Sequence, residues 1–251
     1  MPESSLLAHQ DYSPYRIFSY PGVICAFSSR AHKNMSLSFG DTKESLENRR
    51  NFLGPLSLSP RELVCAKQVH GNNIRYVVEE DRGKGVLSYE ESLADTDALI
   101  TDKKNLALAI FTADCLPIFL LAPQQPAIAL VHCGWRSSKD NLAAKTIKMM
   151  QENFNIRPQD LRVAFGPAIK ECCYEVGEEL RDFFAGDLME RNGRHYLDLS
   201  GINKKQILSL GVKETNIFDS KICTSCRNQE FFSFRLEGKG CGRMMSVAML
   251  K

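Results

Sequence analysis

No stretch of this chain approaches the roughly 18 consecutive apolar residues of a membrane-crossing helix. The opening Met1-Pro2-Glu3-Ser4-Ser5 has neither the basic nor the apolar region of a secretion signal. A cytoplasmic protein with no membrane partner is therefore expected. An excess of one charge is missing too: 32 basic and 30 acidic residues, interspersed, leave a net charge of +2. That balance gives no electrostatic footprint for nucleic acid, although a small anionic ligand stays open. Nine cysteines, an odd number without the regular spacing of a small secreted domain, are expected as free thiols in a reducing compartment. Repeats, low-complexity tracts and long Gly/Ser or Pro-rich linkers are absent, so residues 1–251 are expected to form one domain. Histidine is scarce, with five residues at positions 9, 32, 70, 132 and 195.

Two of those histidines and one cysteine fall in three short segments that each follow an apolar run. They are Gln68-Val69-His70-Gly71, Ala113-Asp114-Cys115-Leu116-Pro117 and Val131-His132-Cys133-Gly134-Trp135-Arg136. Taken singly, Cys115 reads as a packed small hydrophobe, His70 as a turn cap and His132 as a satisfied core histidine. Taken together they suggest strand ends opening onto one end of a common sheet, where a His–Cys–His centre would form. Zinc accepts imidazole nitrogen and thiolate sulfur, and a catalytic site keeps three protein ligands with the fourth position open. Without metal, the same atoms make a Cys–His pair in which an imidazole deprotonates the thiol for direct attack on carbon. Residue types alone do not separate these chemistries. Cys223-Thr224-Ser225-Cys226 is a CxxC pair without a second pair at zinc-ribbon spacing, Cys172-Cys173 are adjacent and Cys241 is single. The CxxC is expected to be a turn with two partly buried thiols.

Patterning predicts a mixed architecture. Residues 17–20 and 23–28 read as a hairpin turned at Pro21-Gly22, and 42–52 as a helix. Residues 63–69 and 74–79 read as strand, turn and strand around His70-Gly71-Asn72-Asn73. Strands are expected at 97–101, 106–112, 118–121, 127–132, 161–165, 231–234 and 244–250, and helices at 137–154, 176–184 and 199–210. His195 falls in a charged loop. Cys115 interrupts two apolar runs with a proline two residues on, which marks a bulge or break that re-aims side chains. The fold class expected is α+β, a single-domain sandwich with a mixed sheet.

An ordered set of motifs runs nearly the whole length of the chain. It comprises Asn34 through Gly40-Asp41, Asn48-Arg49, Gln68-Val69-His70-Gly71, Thr96-Asp97-Ala98, Thr112 to Pro117, and His132 to Arg136. Farther on come Gly166-Pro167-Ala168-Ile169, Tyr174-Glu175-Val176, Asp198-Leu199, Cys223-Thr224, Phe232 to Arg235 and Gly242-Arg243. With these the chain resembles the YfiH-like, laccase-domain family, named variously as multicopper polyphenol oxidase and purine nucleoside phosphorylase. The resemblance implies a fold related to that of Cys–His deamidating toxins. It also implies a zinc-dependent enzyme with His70, Cys115 and His132 at the metal, acting on purine nucleosides: phosphorolysis of adenosine, inosine, guanosine and methylthioadenosine, and deamination of adenosine. Ser137 stands where the family often has glycine after Gly-Trp-Arg, and is expected to cap the following helix.

A multicopper oxidase needs roughly twice as many histidines as this chain has, because a two-His, one-Cys blue-copper site is joined there by a three-copper cluster. Copper is thus compatible with the centre but not as a multicopper array, and no blue-copper band with matching phenol oxidation is expected. For deamination Asp114, beside Cys115, is the nearest candidate proton shuttle. For phosphorolysis the phosphate calls for a cation, and arginine offers a bidentate fork. Arg136, just past His132 at an expected helix start, is the first candidate, with Arg49 and Arg235 behind it and Asn34 a further substrate-binding candidate. Purine nucleosides and phosphate are the expected partners of a monomer or weak oligomer. Two other readings stay open: a metal-independent Cys–His hydrolase acting on an amide or a cell-wall precursor, and a structural zinc module that binds a partner.

Overall fold

The computed structural model describes residues 15, 16 and 20–251. Residues 17–19 of the expected hairpin lie outside them. Of its first arm Tyr20 is described, bridged to Val23 across a turn with Gly22 at φ +73°, and β1 (Tyr15–Arg16), just before that arm, runs antiparallel to β2 (Val23–Phe27). The chain continues through α1 (Thr42–Leu53), β3 (Leu63–Cys65), β4 (Ile74–Tyr76), β5 (Ala98–Thr101), β6 (Ala107–Thr112), β7 (Leu116–Ala122) and β8 (Ala127–Cys133). Next come α2 (Trp135–Lys139), α3 (Leu142–Phe154), β9 (Arg162–Phe165), β10 (Glu175–Val176), α4 (Arg181–Phe184), β11 (Leu188–Arg191) and β12 (Arg194–Leu197). The last elements are α5 (Leu199–Leu208), β13 (Ile217–Asp219), α6 (Phe234–Glu237) and β14 (Met244–Leu250).

Two mixed sheets form the α+β sandwich. One has the order β1-β2-β14-β6-β3, with β3 parallel to β6; the other has the order β13-β9-β7-β8-β5-β4, with β13 and β4 parallel to their neighbours. Strand alternation divides each apolar run between two faces. Val64, Leu108, Ile110 and Ala248 of the first sheet meet Phe119, Leu121, Ile128 and Leu130 of the second in one core. The outer face of the second sheet packs Ile118, Ala129 and Val131 against Leu142, Ile147 and Met150 of α3. The outer face of the first is covered by Phe52 and Leu53 of α1. Phe119 is fully buried between the sheets, a position where truncation to alanine costs about 3–5 kcal/mol. Among the described residues no helix is long and apolar enough to cross a membrane.

Several local expectations are corrected by long-range pairing. The strands expected at 63–69 and 74–79 are shorter, β3 and β4, and do not pair with each other, because β3 joins β6 in one sheet while β4 joins β5 in the other. Asn141, at φ +58°, breaks the expected 137–154 helix into α2 and α3, a conformation that asparagine tolerates. Gly134, not Ser137, caps α2, and Ser137 lies buried inside that helix. Residues 176–184 are no continuous helix: Val176 pairs with His195 in a small sheet of order β10-β12-β11. His195 is therefore on a strand, beside a turn whose Asn192 and Gly193 both have positive φ, the residue pair such hairpins favour. Phe231 fills the inter-sheet core without being a strand, and Phe234 begins α6.

Candidate metal centre and cleft

From the parallel ends of β3 and β6 the chain crosses twice from the first sheet to the second, once through residues 66–73 to β4 and once through 113–115 to β7. His70 lies on the first crossing and Cys115 ends the second. His132 arrives at the same mouth near the end of β8, where alternation sends Cys133 into the helix-side core and His132 to the face shared with Leu130. The three residues thus meet between two sheets rather than at the end of one. Their donor atoms lie within 4.8 Å of one another, and the two imidazole centroids are 4.8 Å apart.

Asp97, which the sequence reading gave no role, holds this arrangement. Its fully buried carboxylate places Oδ1 2.8 Å from His132 Nδ1 and accepts the His70 N–H there at 3.0 Å. Oδ2 accepts the N–H groups of Gly71 at 2.8 Å and Val69 at 3.2 Å. One carboxylate therefore sets the His132 tautomer, leaving Nε2 free for a metal, and folds the loop that carries His70. His70 sits at φ +60° and Asp114 at φ +85°, strained values that cost on the order of 1–3 kcal/mol each for such residues and cluster at functional sites.

Burial resists ionising the Cys115 thiol. The His132 charge and hydrogen bonds from His132 and His70 outweigh it and bring the thiol down to about 6. Burial likewise resists protonating His132, while the Cys115 thiolate and the Asp97 carboxylate lift it to about 9. An anionic sulfur beside two imidazoles, one already oriented by a carboxylate, is a donor set that suits zinc or copper. Gly134 makes room for it: a Cβ there would stand 3.2 Å from both Cys115 Sγ and His70 Cδ2. Gly134→Ala should lower metal affinity about tenfold, the lower end of what loss of a supporting contact costs. Competition with a chromogenic chelator measures it, and an unchanged affinity would show that the two ligands can yield.

A cleft of about 460 Å³ opens over the centre, lined by Phe111, Trp135 and Tyr174 and by Gln68, Arg136 and Arg235 among others. That size and mixture suit a small ligand with an aromatic part and a charged part. The Gln68 amide exchanges hydrogen bonds with the Phe111 backbone at 2.9 and 2.7 Å, extending the β3–β6 ladder into the cleft wall. Burial, helped by the Cys115 and Asp114 charges against that of Arg235, pushes the Tyr174 hydroxyl up, so it stays protonated.

The other expected residues take different places. Arg136 is exposed in the cleft with its guanidinium 4.4 Å from the Trp135 ring centroid. Its helix, α2, has five residues, too few for a strong dipole, so its suitability for an anion rests on the guanidinium. Arg235 also lines the cleft, but donates to the Glu175 carbonyl at 2.5 Å. The Asp114 carboxylate accepts the Thr224 hydroxyl and the Arg235 N–H, both at 2.6 Å. Asn34 does not line the cleft. It bonds Ser36, Ser45 and the Arg243 N–H, and so shapes the segment whose Ser36 and Ser38 do. Arg49 is buried away from the cleft behind Phe111, donating to the carbonyls of Met35, Gly85 and Val86. Arg243 and Tyr174 line the cleft and were not singled out as site residues from the sequence.

Residues 25–251 match the family described as Multi-copper polyphenol oxidoreductase laccase. The chain belongs to that family. The chain is 35% identical over 226 residues to purine nucleoside phosphorylase YlmD of Geobacillus stearothermophilus, covering 86% of this chain and 82% of that one. It is 29% identical over 212 residues to adenosine deaminase RL5 of an unknown prokaryotic organism, covering 81% and 80%. The crystal structure of YlmD from Geobacillus stearothermophilus superposes with a TM-score of 0.92 at 30% identity, over 98% of this chain and 99% of that one. Despite the copper in the family's description, the described residues offer one His/Cys centre and one all-cysteine cluster as groups of three or more metal-capable side chains.

Proposed function

We propose that this chain is a zinc-dependent purine nucleoside enzyme that phosphorolyses adenosine, inosine, guanosine and methylthioadenosine and deaminates adenosine. The observation that carries the reading is a three-residue His–Cys–His centre on the floor of a cleft walled by aromatics and arginines. The names of the phosphorylase and deaminase relatives support it. His70, Cys115 and His132 would hold the metal, which supplies Lewis acidity when bound. Phe111, Trp135 and Tyr174 offer flat apolar surface to the purine. The protonated Tyr174 hydroxyl, on a residue that lines the cleft, would donate to the departing base or to the ribose. Arg136 takes the phosphate. Asp114, whose two oxygens are engaged by Thr224 and Arg235, positions Cys115 and Arg235 rather than shuttling a proton.

Incubation with adenosine should yield adenine and ribose 1-phosphate only when phosphate is present, and inosine without it. Absence of all three products from zinc-replete protein would reject the reading. Arg136→Ala should raise the phosphate KM by about tenfold or more, the worth of one charge-assisted hydrogen bond, with little change in the nucleoside KM. Steady-state kinetics in both substrates measures this, and equal effects on the two constants would argue against the assignment.

One observation favours a second reading. The depressed Cys115 thiol in contact with two histidines is the arrangement of a thiol nucleophile and its base, as in a metal-independent hydrolase acting on an amide or a cell-wall precursor. Such an enzyme would survive chelators and be killed by alkylation.

A further inference from the structure

The fold assembles a second group of metal-capable side chains that the sequence shows only as unrelated fragments. Cys172 and Cys173 lie in the turn that leads to Tyr174, and some fifty residues later in the chain Cys223 opens, and Cys226 lies within, the turn that follows β13. The backbone holds the two turns together: Ala168 pairs with Cys223 in a parallel bridge, and the Thr224 N–H donates to the Ala168 carbonyl at 3.1 Å. All four sulfurs lie within 4.8 Å of one another, with Cys226 Sγ 3.5 Å from Cys172 Sγ and 3.3 Å from Cys173 Sγ. None of the four is in a disulfide.

We propose that Cys172, Cys173, Cys223 and Cys226 form a second, structural zinc site that braces one wall of the cleft. A tetrahedron with Zn–S bonds of about 2.3 Å has S···S edges of about 3.8 Å, close to the separations seen. Disulfide pairing would need sulfurs about 2.05 Å apart in two separate couples, whereas here Cys226 is about equally near two partners. The backbone N–H groups of Cys226 and Lys170 face the Cys223 sulfur, as suits a thiolate ligand. Cys223 is buried while Cys172 and Cys226 are at the surface, so the site is closed on its inner side and reachable by metal from outside. All four positions are taken by sulfur, which marks a structural rather than a catalytic site.

The consequence for the cleft follows from what the two turns carry. Residues 169–174 supply Ile169 and Tyr174 to its wall. Thr224, between the two cysteines of the second turn, donates its hydroxyl to Asp114, and the Asp114 carbonyl accepts the Ile169 N–H at 2.9 Å. A metal joining the turns would therefore fix both Tyr174 and the strained residue next to Cys115.

The test is metal stoichiometry and cobalt spectroscopy on the whole protein, prepared under reducing, anaerobic conditions. Wild type should hold two zinc ions per chain, and Cys172→Ser/Cys226→Ser, altered only at surface thiols, should hold one and melt at lower temperature. His70→Ala/Cys115→Ala should also hold one, and after cobalt exchange should retain the strong charge-transfer and visible bands of a four-thiolate tetrahedral ion. A single zinc that is lost in His70→Ala/Cys115→Ala, with no such cobalt bands, overturns the proposal. A single zinc that survives there upholds this site and contradicts the zinc reading of the His–Cys–His centre.

Discussion

Cys115→Ala is expected to remove metal from the His–Cys–His centre and lower phosphorolysis and deamination together by about a thousandfold or more. The sulfur is the centre's one anionic donor, and the remaining ligands, His70 and His132, are neutral when they coordinate. Loss of an outer-shell partner alone costs about 10–100-fold in affinity, so loss of a ligand should exceed that. Lewis-acid stabilisation is worth several kcal/mol, and each 1.36 kcal/mol is a factor of ten in rate. The substitution should be mild for the fold, because Cys115 is only partly buried at the mouth of the sandwich. Zinc content, turnover and circular dichroism check the three parts separately. A folded variant that keeps its zinc and its turnover would remove Cys115 from the centre.

Asp97→Asn should be nearly as damaging, although it changes one atom. With the amide nitrogen at the Oδ1 position, a donor would face the His70 N–H and would force His132 Nδ1 to accept, moving the ring proton to Nε2 where the metal binds. With the nitrogen at the Oδ2 position, a donor would face the N–H groups of both Val69 and Gly71. Neither orientation satisfies the site. Each buried group left unpaired costs about 1–3 kcal/mol, so a loss of about 2–5 kcal/mol in folding stability is expected, with metal affinity down about 10–100-fold. Urea denaturation and chelator competition read the two effects. Wild-type values in both would mean that Asp97 neither orients His132 nor organises the His70 loop.

The three centre residues could be read from the sequence because reactive side chains stood where apolar runs break at glycine or proline. Their meeting place could not. The Gly71-Asn72-Asn73 segment signals a turn whether the flanking strands pair with each other or part to different sheets, and only contacts with β6 and β5 decide. Asp97 left a fainter mark, a carboxylate directly before the apolar run 98–100, which burial makes costly unless it is paired. Arg49 was misplaced for a readable reason. It lies on the inward stripe of α1 with Ser45, Phe52 and Leu53, a spacing that points into the core rather than to a ligand. The four-cysteine cluster was illegible because its halves are far apart in the chain and meet through a single β-bridge.

Activity measured against zinc occupancy, across preparations stripped and reloaded to graded extents, tests the central reading most directly. Turnover of adenosine with phosphate should rise in proportion to zinc at the His–Cys–His centre and fall to background in stripped protein. Turnover that persists in stripped protein and disappears when Cys115 is alkylated would contradict it and establish a thiol enzyme instead.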